Sequence, residues 1–418
     1  MPEVTMPEVT GPEKTGPEKT GPETADRFAR QRTIPGWDQE RLTAATAVIV
    51  GVGALGNETA KNLALAGVGR LILCDPDTVS ATNLSRTVLL GPGDVGSPKV
   101  TAAAGALRRL VPGLEVETRA TDLVAGIGLG ELADADVVVG CVDTIEARMR
   151  LLGRCALVGA PLLDGGTHPW GGEVRVRVSP EEACYACTLT AHQRGASDLP
   201  WSCSEPAGAG PETATIATTA LVASWLTLAA LRLLFGEPPP YRILSIDAIG
   251  GRTAPVAIRR DPGCPLHRPL SGPVERSSLD NRATVARFLD TLPPGADPVT
   301  WQAFPLPGRC PRCREESWET PRATPTGATE ATAADATGTA PAGVAHPAPA
   351  GTPGRTTGAV ADGAPATCGR CGAPVRGRSS EHLRDADPRA GLSELGVAPE
   401  EILIVGMPGG GFTCHRLR

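Results

Sequence analysis

Aromatic side chains are scarce, 3% of 418 residues, and there is no surplus of positive charge, the net charge being −6. Without that surplus there is no electrostatic case for nucleic acid or an anionic membrane as partner. The first residues show no basic start followed by an apolar stretch, so no signal peptide is expected and a cytoplasmic location follows. Only residues 215–235 approach the roughly twenty apolar residues of a membrane span. Four threonines, a serine and Arg232 interrupt that run. It reads as a helix buried in a core or an interface rather than in a bilayer.

Glycine and proline, by contrast, are abundant at 50 and 41. Much of the excess sits where nothing can pack. Residues 1–24 repeat M-P-E-V-T and G-P-E-K-T, and residues 321–366 are rich in Ala, Thr, Gly and Pro. Both compositions predict disorder. Elsewhere the hydrophobic content, 41% over the whole chain, is ample for a core. The expected plan is a repeat tail over 1–25, an α/β domain over 26–270 and a low-complexity insertion over 321–366. A small C-terminal unit is then assembled from 271–320 and 367–418.

The organising stretch is 48–99. Ala47-Val-Ile-Val50 is a short apolar run, as a buried parallel strand requires. It ends in Gly51-Val-Gly53-Ala-Leu-Gly56, a G-x-G-x-x-G turn, and a helix is expected over 57–66. Arg70-Leu-Ile-Leu-Cys-Asp75 predicts a second strand, with Asp75 where a ribose-binding acid belongs. Backbone N–H groups at the following helix N-terminus would cradle phosphate. The turn alone equally suits NAD or FAD. Asn83, Arg86 and Lys99, clustered just beyond, have no use in a nicotinamide enzyme. They suit one that splits ATP, where cations stabilise charge on the α-phosphate and leaving pyrophosphate.

G-V-G-A-L-G, the D-x-D-x-V-x-x-x-N-L-x-R segment from Asp75 to Arg86, G-x-x-K ending at Lys99 and Cys141-Val-Asp143 together resemble the ThiF/MoeB/HesA adenylyltransferases. The resemblance runs from about Asp26 to His267. It implies a Rossmann-like, mostly parallel sheet with an antiparallel extension. It also implies adenylation of the C-terminal carboxylate of a small ubiquitin-like or sulfur-carrier protein ending in Gly-Gly, with ATP and Mg²⁺. Gly51, Gly53 and Gly56 would shape the phosphate turn, Asp75 hold the ribose, and Asn83, Arg86 and Lys99 face the triphosphate. Asp143, after an apolar strand, is either a magnesium ligand, as the family implies, or a helix N-cap. Arg30 lies in a segment like the family's R-Y-x-R-Q, where an arginine reaches across a homodimer; otherwise it is solvated surface charge. Cys203, in a polar glycine-rich loop, is the candidate acceptor of the activated carrier, though only Arg194 stands near it as a cation. Thr87 stands where many relatives have Gln.

Seven of the twelve cysteines fall in three C-x-x-C pairs and one C-x-x-H, spacings that suit metal ligands in a reducing compartment. Cys184, Cys187, Cys264 and His267 are a candidate Zn²⁺ set, His267 standing where relatives carry a fourth cysteine. Cys310, Cys313, Cys368 and Cys371 would form a second, zinc-ribbon-like site. That C-terminal unit either docks a partner or only stabilises the chain. Gly172-Glu-Val-Arg-Val-Arg-Val178 alternates, predicting a half-exposed strand with valines inside and arginines outside. Competing functions are adenylation of a peptide or small carboxylate, a nucleotide-binding partner subunit without catalysis, and NAD-dependent oxidoreduction.

Overall fold

The computed structural model describes residues 26–194, 214–314, 316–317, 370–371, 373 and 378–418. The repeat tail, the insertion over 321–366, Cys203 and Cys368 lie outside the described residues.

One eight-stranded sheet dominates, in the order β3-β2-β1-β4-β5-β6-β7-β8. Its strands are β1 (Thr46–Val50), β2 (Arg70–Cys74), β3 (Glu115–Arg119), β4 (Val137–Gly140), β5 (Leu162–His168), β6 (Gly171–Arg177), β7 (Ile243–Asp247) and β8 (Arg252–Val256). The first five run parallel, and β6, β7 and β8 extend the sheet antiparallel. The chain thus moves outward from β1 to β3, then returns to place β4 on the other side of β1. That reversal opens a crevice at the carboxyl ends of β1 and β4, where ligands of open α/β sheets bind.

Nine helices are described: α1 (Gln39–Ala44), α2 (Ala54–Ala66), α3 (Lys99–Leu110), α4 (Leu123–Gly126), α5 (Leu129–Asp134), α6 (Ile145–Val158), α7 (Ala191–Arg194), α8 (Ile216–Leu234) and α9 (Val285–Leu289). Side chains of α2, α3 and α8, including Leu63, Leu107 and Leu226, bury against Ile49, Leu71 and Leu163 on one sheet face. Those of α5 and α6, including Leu129 and Leu151, bury against Val48, Val138 and Leu162 on the other. The parallel strands are therefore covered on both sides, which is why they read as unbroken apolar runs. The apolar helix α8 is long enough by composition to cross a membrane. Val222, Leu226 and Ala230 are fully buried in the same core cluster as Leu163 and Val174.

One expectation fails here. The arginines of β6 do not face solvent: Arg175 and Arg177 are each only 3% exposed. The alternation is real, with Val174 and Val176 in the opposite core. The face judged open is roofed by α6 and the turn Tyr185–Thr188, and that cover is tertiary.

The C-terminal unit has more body than its cysteine spacing announces. A five-stranded sheet, in the order β13-β10-β14-β15-β9, joins β9 (Val274–Arg276), β10 (Asp297–Leu306), β13 (Arg378–His382), β14 (Ile402–Gly406) and β15 (Phe412–Arg416). Phe288, Leu392, Leu403 and Val405 fill its core. A short hairpin, β11 (Gly308–Arg309) with β12 (Glu316–Ser317), flanks Cys310 and Cys313. The two sheets are joined through α5 and α6. Glu401, 2% exposed, accepts from Arg154 Nη2 of α6 at 2.7 Å and from Leu129 N at the start of α5 at 3.1 Å. Gly130 N donates to Glu400 O, and a Cβ at Gly128 would run into Pro399 O, so the backbones touch.

Because Arg154 is itself buried, Glu401→Ala strands a guanidinium in the interface. The expected loss is about 3–5 kcal/mol of unfolding free energy, read from denaturant titration, with Glu401→Gln losing less.

Candidate functional site

The crevice is built from glycine geometry. Gly51 takes φ +88°, and its ideal Cβ would meet Cys141 O at the end of β4. A Cβ on Gly56 would run into Gly51 O. Both glycines are demanded by the protein's own packing. Gly53 is different: its φ is −71° and nothing lies within 4 Å of where a Cβ would be. It caps α2, whose first N–H groups lack intrahelical partners and carry the positive end of the helix dipole. An anion could settle there.

Asp75, at the end of β2, is 5% exposed. Its Oδ2 accepts from Val52 N in the glycine turn at 2.6 Å and its Oδ1 from Asp77 N at 2.8 Å. Burial pushes this carboxyl above its ordinary value, against the opposing pull of Lys99 and the two N–H groups. Lys99, 8% exposed at the start of α3, sets its Nζ 2.6 Å from Asp77 Oδ2 and 3.9 Å from Asp75 Oδ1. Asn83 and Arg86 ride on the turn Ala81–Asn83. Asn83 Oδ1 accepts from Ser80 N at 3.0 Å, and Arg86 Nη1 donates to Thr82 O at 3.1 Å. Thr87 donates its hydroxyl to Asn83 O. Asp143 is exposed just beyond β4, three residues past Gly140.

The turn, Asp75, Lys99 and the Asp143 segment therefore converge on one crevice, with the Asn83–Arg86 loop stapled to it. Two residues not singled out from sequence form part of the staple. Asn57 is fully buried in α2, and its Oδ1 accepts from Val88 N at 3.1 Å and Leu89 N at 2.6 Å, just past Arg86. Asp77 holds Lys99. The only signal for Asn57 was its place after the third glycine, where an ordinary helical residue would also serve. Arg30 is not brought in. Among the described residues nothing ties it to the crevice, and Phe28, two residues earlier, lies against Gly67 at the opposite end of α2 from the glycine turn.

A second cluster lies on the α6 face. Cys184, Cys187, Cys264 and His267 bring four ligand atoms within 4.8 Å of one another. His267 Nε2 is 3.1 Å from Cys187 Sγ, while its Nδ1 lies 2.7 Å from Pro180 O. The Nδ1–H donating to that carbonyl leaves Nε2 as the ligand, the orientation that metal-bound histidines adopt. Burial raises the Cys187 thiol, but the N–H groups of Asp261 and Cys184 and the His267 ring outweigh it and bring it down to about 7. Cys310, Cys313 and Cys371 form a third cluster of the same reach.

Comparison with known proteins gives this geometry a lineage. The ThiF family model matches residues 26–266. The chain is 32% identical over 245 residues to the molybdopterin-synthase adenylyltransferase of Escherichia coli K12, covering 57% of this chain and 94% of that protein. It is 34% identical over 239 residues to the adenylyltransferase and sulfurtransferase MOCS3 of Bos taurus, covering 56% of this chain but only 51%, about half, of that relative. The sulfur carrier protein adenylyltransferase of Thermus thermophilus matches at 31% over 272 residues, 62% of this chain and 95% of that one.

The three glycines separate structure from ligand contact. Gly56→Ala should fail to fold stably. Gly53→Ala should melt within about 1 °C of the parent yet bind nucleotide at least about tenfold more weakly, a loss of roughly 1.4 kcal/mol by calorimetric titration.

Proposed function

The chain belongs to the ThiF family, and we propose that it adenylates the C-terminal carboxylate of a small ubiquitin-like or sulfur-carrier protein ending in Gly-Gly, using ATP and releasing pyrophosphate. The observation that carries the reading is the gathering of a helix-capping glycine turn, Asp75, Lys99 and the Asp143 segment where the strand order reverses.

In this reading a carboxylate oxygen of the carrier attacks the α-phosphorus. The bond from that phosphorus to the bridging oxygen breaks, and pyrophosphate leaves with the electron pair. The product is an acyl adenylate. The protein's part is positioning and charge stabilisation rather than covalent chemistry. The N–H groups after Gly53 would receive phosphate oxygens. Asp75, already fixed by Val52 N, would take the ribose hydroxyls with its remaining acceptor capacity. Lys99, and Arg86 with Asn83 beside it, would neutralise charge on the triphosphate. Asp143 is exposed at the crevice mouth and suits Mg²⁺, which prefers carboxylate and phosphate oxygens. Mg²⁺ would lower the charge on the phosphates.

Arg30, which makes no contact with its own crevice among the described residues, would serve a neighbouring copy in a homodimer, making this a cytoplasmic two-site enzyme. Cys184, Cys187, Cys264 and His267 would hold a structural Zn²⁺, since three thiolates and one imidazole are a familiar tetrahedral set. Cys310, Cys313 and Cys371 would hold another with Cys368. Residues 26–270 would be the adenylation domain, and the remainder a zinc-bearing appendage.

ATP–pyrophosphate exchange is the direct test. Exchange that depends on a Gly-Gly-ending carrier, and falls at least about a hundredfold in Lys99→Ala or Arg86→Ala, is the expected result. Exchange with a short peptide alone would move the substrate, and tight ATP binding without exchange would remove the activity. Mixing inactive Arg30→Ala with inactive Lys99→Ala should restore partial exchange if Arg30 acts across a dimer. Metal analysis should find about one fewer Zn²⁺ per chain in His267→Ala.

A further inference from the structure

Asn57 breaks two local rules at once. It stands one turn into α2, where an asparagine is a poor helix former. It is also fully buried, and its Nδ2 finds no hydrogen-bond partner among the described residues. A buried amide donor left unpaired costs folding free energy, and such local inconsistencies gather at functional positions. What Asn57 does satisfy is a pair of backbone donors outside its own helix. Its Oδ1 accepts from Val88 N at 3.1 Å and from Leu89 N at 2.6 Å.

Those two donors lie directly behind the turn that carries Asn83 and Arg86. Every hydrogen bond described for residues 80–87 stays within those residues, including Arg86 N to Asn83 O at 3.1 Å and Arg86 Nη1 to Thr82 O at 3.1 Å. A turn bonded to itself keeps its own shape, so the place of Arg86 depends on how the turn is mounted. In front, Val79 N donates to Ser97 O at 2.8 Å and Gly96 N to Val79 O at 2.9 Å, which ties it to the segment leading into Lys99. Leu84 rests on the core, and Leu89 and Leu90 enter it behind the turn. Apolar burial is non-directional, whereas a hydrogen bond sets an angle as well as a distance. At the rear that directional mount is Asn57 Oδ1, on the same helix whose first N–H groups face the crevice.

We propose that Asn57 is a positioning residue for Arg86, its Oδ1 fixing the Arg86 turn against the phosphate-binding end of α2. This role rests on the adenylation reading above. It touches no substrate and acts only through Arg86, which must meet charge building at the α-phosphorus. Nδ2 makes no bond, so the acceptor oxygen is the part that matters. An aspartate keeps that acceptor, and its charge is favoured in the first turn of a helix.

The test is a double-mutant cycle in ATP–pyrophosphate exchange by the full-length, metal-replete protein. Asn57→Ala should lower kcat about tenfold, and Asn57→Asp should recover most of that loss. In an Arg86→Ala background, Asn57→Ala should cost less than about twofold more, because a guanidinium that is gone cannot be misplaced. A residue that merely stabilises α2 gives losses that multiply. Multiplied losses, or Asn57→Asp as slow as Asn57→Ala, overturn the role. A parent protein without exchange removes the adenylation reading, and the same cycle is then read in ATP affinity by calorimetry. Coupled losses there support the role of Asn57, and additive ones overturn it. Should Asn57→Ala fail to fold, hydrogen exchange in the parent decides. Val88 and Leu89 amides at least about tenfold slower than that of exposed Ser85 support the anchor, and equal rates overturn it.

Discussion

A single carboxylate sets the register of the crevice. Asp75 accepts from Val52 N with one oxygen and from Asp77 N with the other, and Lys99 lies 3.9 Å from it. The first contact fixes the glycine turn against the end of β2. The second fixes the start of the loop that carries Asn83 and Arg86. Burial raises the carboxyl, so its charge is held by neighbours rather than by water. Removing it would free the turn, the loop and the lysine together. In the function proposed above, the ribose acid and this structural clamp are the same residue, which would answer to two requirements.

Much of this was legible in the chain because the relevant constraints are local. A short apolar run, a glycine turn, a helix and a second run ending in an acid can be read without knowing the fold, and β1, α2 and β2 fall where that reading puts them. The Cys₃His group was legible because ligand chemistry restricts residue type, and the structure brings those four side chains together across some eighty residues. What sequence could not show was which surfaces end up covered. The alternation in β6 was seen, but α6 and the Cys184 turn decide that Arg175 and Arg177 are buried. Asn57 was invisible for a related reason: its partners, Val88 and Leu89, are some thirty residues away. The five-stranded C-terminal sheet was only half seen. Its two flanking segments were read as one unit around the cysteine pairs, but β9 and β10 were not assigned as strands.

Helix α6 is where these separate parts meet. Its N-terminal end follows the Asp143 segment, and Arg148, one turn in, reaches back to Val142 O and across to Asp164. Two turns further along, Arg154 grips Glu401 of the C-terminal unit. Leu152 borders the same pocket as Arg175 and Arg177 of β6, and Gly153 passes close to Leu266, beside His267. The crevice, the Cys₃His loop, the buried arginines of β6 and the second sheet are thus all in contact with one helix. The C-terminal unit need not touch nucleotide to matter. By clamping α5 and α6 through a buried ion pair and direct backbone contacts, it narrows the conformations open to the strand end that presents Asp143. The links from Arg148 to Val142 O and Asp164, and from Arg154 and Leu129 to Glu401, are hydrogen bonds and ion pairs rather than proximity alone.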